Sequence, residues 1–168
     1  MKFLKDILLV DFEGGEEPTQ IGAVLLDKDT LEEKDSFSSY VWADLQGYVS
    51  PHSGISQETL IGAPSQAEVG KMIFEKFGTD ILISTWVANY DIICFKKIII
   101  AAGIEWNLYD YHVLDIWPVA YVHLIKNGYQ GGIRSEEMFK EFGAKPRGLH
   151  DALEDCKIAA DILRRIVL

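Results

Sequence analysis

The stretch Ile7-Leu8-Leu9-Val10-Asp11-Phe12-Glu13-Gly14-Gly15, followed after Glu16-Glu17-Pro18-Thr19 by Gln20-Ile21-Gly22-Ala23-Val24-Leu25-Leu26, decides the fold. It holds two β-rich apolar runs, Ile7 to Phe12 and Gln20 to Leu26. A third follows at Phe37 to Trp42. Gly14-Gly15 and the acidic segment Asp27 to Asp35 punctuate them. Three strands with short connections predict an antiparallel meander.

Beyond residue 60 the period changes. Ser65-Gln66-Ala67-Glu68 has the form of a capping box and opens a predicted helix to about Phe77. Asp80 to Ser84 reads as a buried strand. A helix is expected from about Tyr90 to Ala102, with Gly103 as its stop. Tyr111 to Leu114 forms a short strand, and Ile116 to Lys126 a helix ending at Asn127-Gly128. Ser135 starts another helix, with Glu136 and Glu137 placed to favour its dipole. A last helix spans about Asp151 to Val167. This order, βββαβαβααα, predicts an α/β fold: one central mixed sheet flanked by helices.

The 168 residues read as a single domain, 1–168, able to bury a core without staples. The charged start at Lys2, Lys5 and Asp6, and the shortness of Ile7 to Val10, argue against a signal peptide. No apolar stretch approaches a membrane span. Cys94 and Cys156 lie far apart and outside any CxxC, so the expected setting is the reducing cytoplasm. Net charge is −10, which opposes a bulk electrostatic grip on nucleic acid. The charge is uneven: residues 1–60 hold 12 acids and 4 bases, residues 61–168 hold 14 and 12. Bound cations would offset acids gathered at a site. The acidic surface also leaves room for a protein partner, and a homodimer stays open.

Four carboxylates and a histidine stand out. Asp11 and Glu13 are two apart on a strand, so both project to one face. Hard divalent cations take such oxygen ligands, although a solvated strand end reads the same way. Asp91 falls at a helix start after Trp86-Val87-Ala88-Asn89-Tyr90, where the helix dipole alone would favour an acid. In the last helix Ala152, Cys156, Ala159 and Leu163 form an apolar stripe. At about 100° per residue, Asp155 lies roughly 60° to one side of it, Asp151 roughly 100° away and Glu154 nearly opposite. Asp155 is therefore the acid expected at the edge of the buried interface. An acid there is costly without a partner. His150 precedes the helix, behind Gly148, free to approach a bound water. His52, His112 and His123 show no such context. Arg134, Lys140, Lys145 and Arg147 either guide a phosphate backbone or decorate a solvated surface. Ser53-Gly54-Ile55-Ser56 reads as a turn presenting Ile55 as a small exposed apolar wedge.

Together these motifs resemble the DnaQ-like 3′–5′ exonucleases of the DEDDh type, on a ribonuclease H-like fold with a five-stranded mixed sheet. Asp11-Phe12-Glu13 resembles the first motif, Asp91 the second, and His150 with Asp155 the third. Gly54-Ile55 resembles the turn that contacts the terminal nucleotide. Asp115-Ile116 falls where an Asp-Leu pair usually precedes a helix. Trp86 ahead of Tyr90-Asp91 is closer to the histone-mRNA 3′-exonuclease branch than to proofreading members. That branch has a glycine where this chain has Val87, so RNA and DNA both stay open.

The resemblance implies a phosphodiester hydrolase. Asp11, Glu13, Asp91 and Asp155 would hold two Mg²⁺ or Mn²⁺ ions, about 3.5–4 Å apart as in other two-metal sites. One ion would activate water and the other stabilise the leaving 3′ oxygen, with His150 as general base. Phe12, Gly54, Ile55, Trp86 and Tyr90 would seat the 3′-terminal nucleotide of single-stranded RNA or DNA. Aromatic stacking accepts any base. The alternatives are a binding member of the same fold with weak or no catalysis, and an internal cutter of RNA–DNA hybrids, against which His150 argues.

Overall fold

The computed structural model describes residues 2–168. Its elements follow the predicted order: β1 (Asp6–Gly14), β2 (Pro18–Leu26), β3 (Glu33–Tyr40), α1 (Gln66–Phe77), β4 (Ile81–Thr85), α2 (Ala88–Ala101), β5 (Val113–Asp115), α3 (Ile116–Lys126), α4 (Ser135–Glu141) and α5 (Ala152–Val167). A 3₁₀ turn at Trp106–Leu108 precedes β5. The strands form one five-stranded sheet in the order β3-β2-β1-β4-β5. The meander is antiparallel, with Leu9 opposite Val24 and Ala23 opposite Phe37. β4 pairs parallel to β1, and β5 parallel to β4.

The central position of β1 follows from its sequence. A strand covered on both faces reads as a continuous apolar run, and Ile7, Leu8, Leu9 and Val10 are all fully buried. Its side chains alternate between two cores. Ile7 and Leu9 pack with Trp86, Ile116, Phe139, Cys156 and Leu163, on the side of α3, α4 and α5. Leu8, Val10 and Phe12 pack with Val69, Ile73, Phe95 and Ile98, on the side of α1 and α2. Asp11 and Glu13 continue the odd-numbered row, so the pleat turns both towards α5.

β3 differs from its predicted span, starting at Glu33 instead of Phe37 and ending at Tyr40. It is the edge strand, and its first residues are exposed and charged. Main-chain pairing to β2 recruits them, from Leu26 opposite Glu33 onward, without an apolar signal. Charges on such an edge discourage pairing with another chain. The capping box forms as expected: the Glu68 N–H donates to Ser65 Oγ at 3.3 Å, and the Ser65 N–H to Glu68 Oε2 at 2.8 Å. Among the described residues no helix is long and apolar enough to cross a membrane.

α5 docks on β2 at its first turn. The Asp151 side chain caps it, accepting from the Leu153 and Glu154 N–H groups at 3.1 Å. Gln20 of β2 spans the joint: its Nε2 donates to Asp151 Oδ2 at 2.8 Å, and its Oε1 accepts the Ala152 N–H at 3.3 Å. Directly beneath, Gly22 leaves no room for a side chain. A Cβ there would lie 2.2 Å from the Ala152 carbonyl carbon.

Candidate active site

Three elements bring the acids together. β1 supplies Asp11 and Glu13 just before a bulge at Gly14. Gly14 has φ +147°, and a Cβ there would meet the Glu17 carbonyl oxygen at 2.3 Å. β4 runs parallel to β1 and feeds α2, which places Asp91, in the first helical turn, over the end of β1. There Asp91 Oδ1 accepts the Phe12 N–H at 3.1 Å. The first turn of α5 supplies Asp155. Helix phase sorted Asp155 and Glu154 as expected, the first buried and the second exposed, whereas Asp151 is the cap ahead of the helix.

Asp11, Glu13, Asp91, His150 and Asp155 line one open cleft of about 350 Å³. The His150 N–H donates to the His52 carbonyl at 2.9 Å, which fixes the backbone ahead of α5. Its Nδ1 lies 3.6 Å from Glu13 Oε1 and 4.0 Å from Asp155 Oδ2, and its Nε2 3.7 Å from Glu136 Oε1. Glu13, His150 and Asp155 each present a ligand atom within 4.8 Å of the others. A larger cavity, about 480 Å³, lies between residues 142–149 and α5. It reaches Asp155 but none of the other three acids, so the four acids meet only in the shallower cleft.

The acids oppose one another. Burial, then the charges of Asp91, Asp155 and Glu13, hold Asp11 well above the usual carboxylate range. Burial and then Asp155 push Glu13 up to about 7. Burial also lifts Asp91 to about 7, against the Phe12 N–H that favours its ionised form. Asp155 Oδ1 is buried without a hydrogen-bond partner. Clustered oxygen donors, mutual repulsion and an orphaned carboxylate oxygen fit a divalent cation.

This has a consequence for stability. Glu13 and Asp91 bind protons in the folded chain at pH values where the unfolded chain has released them. Their contribution is complete below about pH 4, the ordinary carboxylate range, and is lost as pH rises through about 7. In chelator, the melting temperature is expected to fall between pH 5 and pH 8. Mn²⁺ should restore it at pH 8 and do little at pH 5. A flat chelator profile between those pH values would contradict the repulsion.

The residues expected to seat a nucleotide divide. Phe12, Trp86 and Tyr90 line the cleft. Phe12 is otherwise core. Trp86 is only 6% exposed, its Nε1 donates to Ser135 Oγ at 2.9 Å, and its ring packs on Phe139 at 4.7 Å. It forms the floor and offers no free stacking face. Tyr90 is half-buried, and its hydroxyl has no hydrogen-bond partner. Gly54 (φ +70°) turns the chain beside Leu149. Ile55 is not the exposed wedge expected: it is 4% exposed and packs with Ala43 and Leu60. The irregular segment 41–64 gathers Ile55 with Ala43, Leu45, Leu60 and Ala63 into a small core of its own.

Arg147 also departs from expectation. Arg134, Lys140 and Lys145 are exposed, but Arg147 turns inward onto Asp155 and Glu136. Its pairing depends on how residues 143–150 return from α4 to α5, and no local pattern encodes that. His52, given no role from sequence, also lines the cleft, with its ring 5.5 Å from that of His150. Its proximity to Gly54-Ile55 was the only available sign.

The family model for the exonuclease RNase_T matches residues 8–163. No curated protein matches the sequence. Cell-death related nuclease 4 superposes with TM-score 0.78 at 17% identity, covering 97% of this chain and 64% of that one. E. coli Exonuclease I in complex with a dT13 oligonucleotide gives 0.77 at 16% identity, covering 96% and 41%. The nuclease domain of 3′hExo, a DEDDh family member bound to rAMP, gives 0.71 at 22% identity, covering 97% and 92%. The chain thus spans less than two-thirds of the first two. These likenesses show a ribonuclease H-like α/β fold.

Proposed function

Because the chain belongs to the RNase_T exonuclease family, matched over residues 8–163, we propose that it removes nucleotides from the 3′ end of single-stranded RNA or DNA. One observation carries this reading: Asp11, Glu13, Asp91 and Asp155 converge from three elements on one cleft beside His150. Among its structural neighbours one is bound to a dT13 oligonucleotide and one to rAMP, which supports keeping both deoxyribose and ribose substrates. The two free, buried thiols, Cys94 and Cys156, support the cytoplasm as its compartment.

Two bound divalent cations, Mg²⁺ or Mn²⁺, would supply Lewis acidity for an attacking water and a leaving 3′ oxygen. Asp11, Glu13, Asp91 and Asp155 would hold them. His150 takes the proton of the attacking water. Burial first, then Arg147, lower its pKa, so a ring nitrogen is unprotonated near neutral pH. The Asp91 bond to the Phe12 N–H locks the end of β1 against α2 and keeps Asp11 and Asp91 aligned. The product is a nucleoside 5′-monophosphate.

The test is to incubate the protein and Mn²⁺ with end-labelled single- and double-stranded RNA and DNA. Mononucleotides released from the 3′ end are expected. Internal fragments would instead indicate an endonuclease. The Arg147–Asp155 pair favours a second reading, a binding member with weak catalysis, and intact oligonucleotides at every pH would select it. His150→Ala is expected to lower kcat about 10²- to 10⁴-fold, the usual range for a general base. Mn²⁺ should still raise the melting temperature of that variant.

A further inference from the structure

Arg147 reaches between two carboxylates of unequal exposure. Its Nη1 donates to Asp155 Oδ2, and its Nη2 to Glu136 Oε1. Its Nε donates to the same Glu136 oxygen at 2.7 Å. The Phe139 ring lies 4.8 Å from the guanidinium carbon. The Arg147 side chain is 11% exposed and that of Asp155 7%, whereas Glu136 is 53% exposed. The outer arm is thus anchored by two donors and a ring, and the inner arm holds a buried acid by one.

That inner contact has a clear electrostatic role. Burial first, and then neighbouring charge that includes Asp155, raise the pKa of Asp11, Glu13 and Asp91. Without a counter-charge Asp155 would be a buried, uncompensated carboxylate. Arg147 supplies the counter-charge and fixes the Asp155 rotamer. An entering cation offers the same compensation and needs the same carboxylate. The guanidinium fork can release Oδ2 through Nη1 while Nε and Nη2 stay on Glu136.

We propose that Arg147 is a positioning residue of the metal centre: it holds Asp155 in the cleft until a divalent cation takes that carboxylate over, and so sets the cation concentration at which the centre fills. This rests on the metal-dependent reading above. It assigns residues 143–150 a task beyond delivering His150.

The test is calorimetric titration with MnCl₂ alone, without nucleic acid, at constant ionic strength. Wild type, Arg147→Gln and Arg147→Lys are compared. Arg147→Gln removes the competing charge and is expected to bind Mn²⁺ about tenfold more tightly, equivalent to about 1.4 kcal/mol. Arg147→Lys keeps a cation over Phe139 but cannot bridge both carboxylates, so its affinity should fall between the two. The lysine variant also covers a folding failure of the glutamine one. Equal affinity in wild type and Arg147→Gln would overturn the proposal while leaving the metal centre standing. So would an Arg147→Lys protein matching wild type, because charge alone would then explain the glutamine result. Binding by the variants but not by wild type would support it in its strongest form. If none of the three takes up Mn²⁺, the metal-dependent reading fails, and this proposal with it.

Discussion

Asp155→Asn is expected to lower hydrolysis about 10²- to 10³-fold, the scale on which lost electrostatic stabilisation of a transition state is felt. Asparagine is nearly isosteric and its carbonyl can still accept from Arg147, so the local packing survives. It also withdraws one charge from a cleft where burial, and then neighbouring charge that includes Asp155, raise Asp11 and Glu13. The metal-free protein should therefore melt no lower than wild type. The gain in melting temperature on adding Mn²⁺ should disappear. Loss of activity with stability retained assigns Asp155 to chemistry and not to folding. Near-wild-type turnover in this variant would sink the assignment of the site.

The second large effect is expected at a residue without a side chain, opposite Asp11 in the β1–β2 pair. Gly22→Ala places a Cβ 2.2 Å from the Ala152 carbonyl carbon and 2.3 Å from both its oxygen and the Leu153 nitrogen. All three atoms are backbone, so no rotamer change relieves the clash, and α5 must lift from β2. Overpacking usually costs about 1–3 kcal/mol, and this site belongs at the upper end. For a chain of this length that lowers the melting temperature by about 10 °C. The same lift breaks the Gln20 bridge to Asp151 and Ala152 and carries His150 and Asp155 away from Asp11 and Glu13. A misplacement near 1 Å costs about 10²-fold in rate. Gly15→Ala, with nothing within 4 Å of its Cβ, is the control and should melt like wild type. A Gly22→Ala protein as stable as the control would refute the close approach.

The two effects separate what was legible from what was not. The pleat of β1 sets Asp11 and Glu13 on one face whatever surrounds them, and the phase of α5 sets Asp155 beside its apolar stripe. Both are local periodicities, readable along the chain. Gly22 carries no such sign: its need for a bare Cα comes from a helix 130 residues later in the chain. Trp86 was readable as a cleft residue but not as its floor, because the covering ring is Phe139 of α4. The start of β3 is invisible in the sequence because an edge strand is held by main-chain bonds to β2, which leave no trace in side-chain polarity. The burial of Ile55 is equally invisible, because an apolar residue in a turn looks the same whether or not Ala43 and Leu60 close over it.

By itself the sequence determined the order of elements, the mixed sheet and the face on which each acid stands. Short-range sterics and the 2.0 and 3.6 residue periods enforce these at every position. Tertiary structure alone decided which faces meet. It set Asp91 on the Phe12 N–H, put His150 within reach of Glu13 and turned Arg147 inward to Asp155. The first two join residues that chain closure brings together over long separations, and the third closes the short return into α5. Their geometry comes from how α2 and α5 pack against opposite faces of β1, where burying a polar group without a partner is costly.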